Sequence, residues 1–69
     1  MNITRENTTF ETQKEHPWAE GMTDLEVTPQ EIEAFLEEQG YVSYNFDIFY
    51  DTMQSVWRWS ADIRSYSEI

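Results

Sequence analysis

Glu33 with Glu37, and Asp47 with Asp51, are the residues whose type and spacing come nearest to chemistry in this 69-residue chain. Carboxylates four residues apart on a helix lie about 6 Å apart along its axis. Like charges so spaced destabilise an isolated helix slightly, and no nearby lysine relieves either pair. A row of such charges can imitate a phosphate backbone and occupy a basic groove. Glu31 and Glu38 flank the first pair and extend the row. The plainer account is a solvated face, with Asp47 and Asp51 well placed for a helix N-terminus.

Other chemistry lacks its parts. His16 is the only histidine, in a polar stretch beside Glu15 and Pro17. A general base needs a nucleophile within hydrogen-bond reach. Ser55, Ser60 and Ser65 have no Gly-x-Ser-x-Gly elbow and no second histidine for a triad. No Asp-x-Asx-x-Asx-Gly calcium loop is present. Two glycines exclude a glycine-rich phosphate loop, and absent cysteine excludes disulfides and thiolate metal sites. The expectation is a non-enzyme with no catalytic residues, no metal site and no cofactor.

Composition points to partners instead. Fourteen Asp and Glu against four Lys and Arg give a net charge of −10. Such a surplus repels nucleic acid and anionic lipid and attracts cationic protein surfaces. Ten of the acids fall in residues 1–40, against Arg5 and Lys14 alone. No apolar run approaches the ~20 residues that span a bilayer. The opening residues lack a signal peptide's apolar stretch, so a cytoplasmic location is expected, and the sequon-like Asn2-Ile3-Thr4 and Asn7-Thr8-Thr9 read as chance.

The elements that would position these residues form one domain, 1–69. Residues 1–22 are polar and Thr/Glu-rich and read as an extended N-terminal arm anchored by Trp18, with a short strand possible over 8–12. Residues 29–39 carry a full helix code. Thr28 caps, Pro29 takes the first helical position, and Glu31 completes a capping box. Val27 and Ile32 make a hydrophobic staple, and Gly40 ends the helix. Its stripe is Ile32, Phe35 and Leu36, with Glu33 and Glu37 opposite.

Residues 41–69 hold eight of the eleven aromatics, and two periods compete there. Phe46, Phe49, Met53, Val56, Ser60 and Ile63 follow a 3-4-3-4-3 spacing, which predicts an amphipathic helix over about 45–65. Val42, Tyr44, Phe46 and Ile48 alternate with polar residues, which suits a short strand at 42–50 and an α+β fold. No Asn-Gly or Asp-Gly turn follows. The helical period sets the expected fold class: mainly α, two helices and an arm. Their thin core favours a homodimer or a partner. On the long helix, Trp59 shares a face with Ile48 and Tyr66, with Arg58 beside it. Trp59, Tyr66 and Arg58 are thus a second candidate surface, for a partner or a homodimer seam, since exposed Trp, Tyr and Arg are favoured binding hot spots. The plainer account is a second core face of a helix buried on two sides.

In size, lack of cysteine, acidity and the Thr-rich opening Met1-Asn2-Ile3-Thr4 to Thr8-Thr9-Phe10-Glu11, the chain resembles the small acidic anti-CRISPR proteins of bacteriophages. The resemblance covers roughly the first dozen residues and general character, and it carries over no site residues. It implies stoichiometric blocking of a nucleic-acid-handling protein at its basic groove, inside a bacterial host. The charge pattern, not the resemblance, names Glu31, Glu33, Glu37, Glu38, Asp47 and Asp51 as the docking face expected of such a phage or mobile-element inhibitor that mimics nucleic acid. The alternative is a structural or assembly subunit that uses the aromatic face.

Overall fold

Thr28 opens helix α1 (Pro29–Glu38) in the computed structural model, which describes residues 3–68. Met1 and Asn2, part of the sequon and of the Thr-rich opening, lie outside the described residues. The Thr28 hydroxyl accepts from the Glu31 backbone N–H at 3.2 Å, and the Glu31 carboxylate accepts from the Thr28 N–H at 3.1 Å. Gly40 leaves the helix with φ of 94°, in the left-handed region that favours glycine. Ile32, Phe35 and Leu36 are buried, as is the staple residue Val27. These local signals agree with one another, and the helix forms where they place it.

Most of the remaining regular structure among the described residues is sheet, which corrects the expected mainly helical fold. Strands β1 (Thr8–Glu11), β2 (Trp18–Thr23), β3 (Tyr41–Asp51) and β4 (Val56–Ser65) lie in the order β1-β2-β4-β3, each antiparallel to its neighbours. A 3-10 turn, Tyr66–Glu68, follows. β2 and β3 therefore run parallel with β4 between them, and α1 makes the crossover that parallel strands require. Among the described residues there is no long C-terminal helix. Phe46 and Ile63 of the supposed helical stripe sit on different strands, and Met53, at the hairpin tip between them, is 93% exposed. The Val, Ile, Tyr, Phe and Trp content of residues 41–65 suits pleated, half-buried surfaces.

Nor does the N-terminal segment lie as an extended arm across two helices: it supplies β1 and β2 of the sheet. Ile3 is buried, and Phe10, Ala19 and Thr23 turn towards α1. In register, Phe10, Ala19 and Ala61 form one row, and the two small residues let the Phe10 ring stack on Tyr41 at 5.6 Å. Arg5 lies over Phe10 and donates to the Gln39 side chain, tying the N-terminal turn to the end of α1.

Among the described residues only one face of the sheet is covered. Trp59, Ala61 and Ile63 of β4 point at α1 and complete the core. On β3, Ser43 is buried before residue 45 and Ile48 packs against the core after it. A bulge between Tyr44 and Asp47, with Asn45 at φ of 56°, makes that change of parity.

Candidate protein-docking surfaces

The six acids chosen from sequence do not share one surface. Glu33, Glu37 and Glu38 are exposed on α1. Glu31 is half-buried, and its carboxylate is engaged by Thr28. Asp47 and Asp51 lie on β3, on the face of the sheet away from α1. As strand residues they stand ~13 Å apart, not one helical turn. Asp51 is also committed locally. Its Oδ1 accepts from the Met53 and Gln54 N–H groups, and its Oδ2 accepts from Arg58 Nε at 2.8 Å. The Arg58 side chain beside it, with the Gln54 backbone N–H, holds its carboxyl below the ordinary carboxylate value of 3.8.

The aromatic set is likewise divided. Trp59 is 1% exposed and belongs to the core, so it offers no contact surface. Arg58 points the opposite way, off the sheet's uncovered face, and Tyr66 is exposed on the terminal 3-10 turn. Their grouping assumed a 3.6-residue period. On a strand, neighbours in sequence face opposite sides.

The strand register instead assembles a surface that sequence spacing did not suggest. On the uncovered face one cross-strand row reads Glu11, Trp18, Asp62, Tyr44. The next reads Thr9, Glu20, Ser60, Asp47. A third places Met22 and Phe49 on either side of Arg58. Tyr44 is 41% exposed and Phe49 50%. Two shallow grooves run across these rows, one beside Trp18, Asn45 and Asp62, the other beside Met22, Phe49 and Arg58; Glu20 and Ser60 line both. The available signal was the pattern of residues 18–23, where Trp, Glu and Met alternate with the small Ala, Gly and Thr. Small residues inward mean a bulky partner across the core and large residues outward.

The first two rows hold four carboxylates and no cation. Arg58 stands on one side of them, paired to Asp51, and Arg64 on the other. Diagonal neighbours on a sheet face are ~7–8 Å apart, and like charges directly opposite destabilise. Asn45 Nδ2 donates to Asp62 Oδ2 at 2.9 Å, which fixes that carboxylate while leaving its other oxygen open.

Among the described residues no group of three or more His, Asp or Glu is placed to hold a metal ion, and no helix is long and apolar enough to cross a membrane. No family model, curated protein or solved structure matches the chain.

Proposed function

We propose that this protein is a non-enzymatic inhibitor that docks on the basic surface of a nucleic-acid-handling protein and blocks it, acting in the cytoplasm of a bacterial host as a phage or mobile-element anti-defence protein. One observation carries the reading. The net charge of −10 is displayed rather than neutralised: among the described residues the one ion pair is Arg58–Asp51. Unpaired surface carboxylates steer association with a cationic partner and suppress anionic ones, direct nucleic acid and anionic membranes included. The anti-CRISPR resemblance points to the same mode.

The test is capture by the tagged full chain from bacterial lysate at low and high salt, with mass spectrometry. A nucleic-acid-handling protein held in stoichiometric amount, released by salt and by competing DNA, is the expected result. A partner indifferent to both, or none at all, would overturn the proposal.

A second reading, an assembly subunit, is favoured by one observation. β3 is an edge strand of 11 residues, and its outer backbone groups form a template for another strand. Self-association that sedimentation finds equally strong at low and high salt would support it.

A further inference from the structure

We infer that the docking surface is the uncovered face of the sheet, centred on Trp18, Glu20, Asp47 and Asp62, and that its occupant is a Lys- and Arg-bearing segment of a partner protein; this rests on the inhibitory reading above. Among the described residues nothing forms a second layer over this face. It combines apolar area from Trp18, Tyr44 and Phe49 with two grooves, and interface cores are enriched in such aromatics.

Charge decides the occupant. The two central rows carry carboxylates on β1, β2, β3 and β4, with no cation among them. A cationic side chain entering the Trp18 groove meets Glu20, the free oxygen of Asp62, and an indole that attracts cations. A second copy of this chain would bring a like-charged face against the first, since a two-fold contact sets the same patch on both subunits. Nucleic acid meets the same repulsion. The exposed helix acids Glu33, Glu37 and Glu38 lack the other half of an interface: between them stand Ala34 and the buried stripe, with no exposed aromatic on α1.

The experiment is a titration of the isotope-labelled full chain with a short alternating Lys-Arg peptide, its Gln-for-cation counterpart serving as control, followed by amide and indole chemical shifts. The expected result is perturbation concentrated on β2, β4 and the Trp18 indole. Glu20→Gln with Asp47→Asn should weaken the peptide roughly three- to tenfold, from two exposed charge pairs. Glu33→Gln with Glu37→Gln should change it less than about twofold. These are surface replacements, so a folded spectrum is expected of both double variants; should either lose it, the shift map of the unaltered chain decides. Perturbation centred on α1 or spread evenly, or a larger effect from the helix pair, would overturn the assignment. Failure of the partner class shows separately, as a lysate without a nucleic-acid-handling partner while the peptide still maps to the sheet.

Discussion

The indole of Trp59 lies against the bare α-carbon of Gly21, its partner in register across β2 and β4. A Cβ on Gly21 would stand 2.6 Å from Trp59 Nε1 and 2.8 Å from ring carbons. From the other side Phe35 of α1 meets the same ring edge-on, with centroids 6.5 Å apart. The largest core side chain is thus held between a strand backbone and the helix. Its Nε1–H is buried with no acceptor among the described residues, so packing rather than hydrogen bonding fixes it.

Gly21→Ala should therefore destabilise the fold. Overpacking costs about 1–3 kcal/mol, and in a domain of this size each kcal/mol moves Tm by roughly 4–8 °C. Thermal unfolding followed by circular dichroism measures it. An unchanged Tm would mean that the indole moves aside freely and is not clamped.

Asn45→Gly should be more stable than Asn45→Ala, the reverse of the usual order within strands. At φ of 56° alanine bears ~1–2 kcal/mol of left-handed strain that glycine escapes. Both lose the bond to Asp62. Urea midpoints of the two variants decide the order. Equal midpoints would show that the bulge relaxes on substitution.

That bulge also explains why the sheet was poorly legible. Helix α1 could be read because its cap, proline, staple and terminating glycine are all local, lying within fourteen residues of chain. β3 carries two conflicting patterns. Val42 and Tyr44 face away from α1, and Phe46 and Ile48 face towards it, though all four share one parity in sequence. Unbroken alternation placed them on one side, and a helical period placed Phe46 beside Met53. The hairpin was hidden too, because its tip, residues 52–55, is closed by the Asp51 side chain and by Ser55 at φ of 57° instead of an Asn-Gly pair. The docking surface depends on register between four strands, and no spacing within one segment encodes it.

Asp51 should make stability acid-sensitive. Its folded pKa lies below its ordinary value of 3.8, chiefly through the Arg58 hydrogen bond. A depressed carboxylate contributes stability that is complete above the unfolded value and is lost as pH falls through the folded one. The Asp51→Asn variant should thus lose less stability than the natural chain between about pH 5 and about pH 2. Urea unfolding across that window gives the comparison. Parallel curves would show that the hairpin-tip pair adds nothing in solution.

Thr28→Ala should cost about 0.5–2 kcal/mol, the value of an N-cap side chain. Glu31→Ala should also weaken the fold, while Glu31→Gln, which can still close the capping box, should stay near the natural chain. The comparison separates two roles for Glu31. If Glu31→Gln reduces partner binding with stability intact, its charge belongs to an interface; the expected result is unchanged binding, because the carboxylate is occupied by Thr28.

Glu37→Lys should stabilise the protein. It replaces a like-charge neighbour of Glu33 by a Glu-to-Lys pair at i,i+4, worth about 0.2–0.5 kcal/mol for the new pair and a similar amount for the lost repulsion. It also sets a cation in the last turn of α1, which has no basic residue there. Both residues are exposed, so neither packing nor a buried bond offsets the gain. A raised urea midpoint checks the stability term, and its sensitivity to salt confirms the electrostatic origin. The same variant separates the two acidic surfaces functionally. With docking on the uncovered sheet face, the Glu37→Lys protein keeps its partner and loses only long-range steering. Loss of capture by a chain that has become more stable would move the interface to the helix.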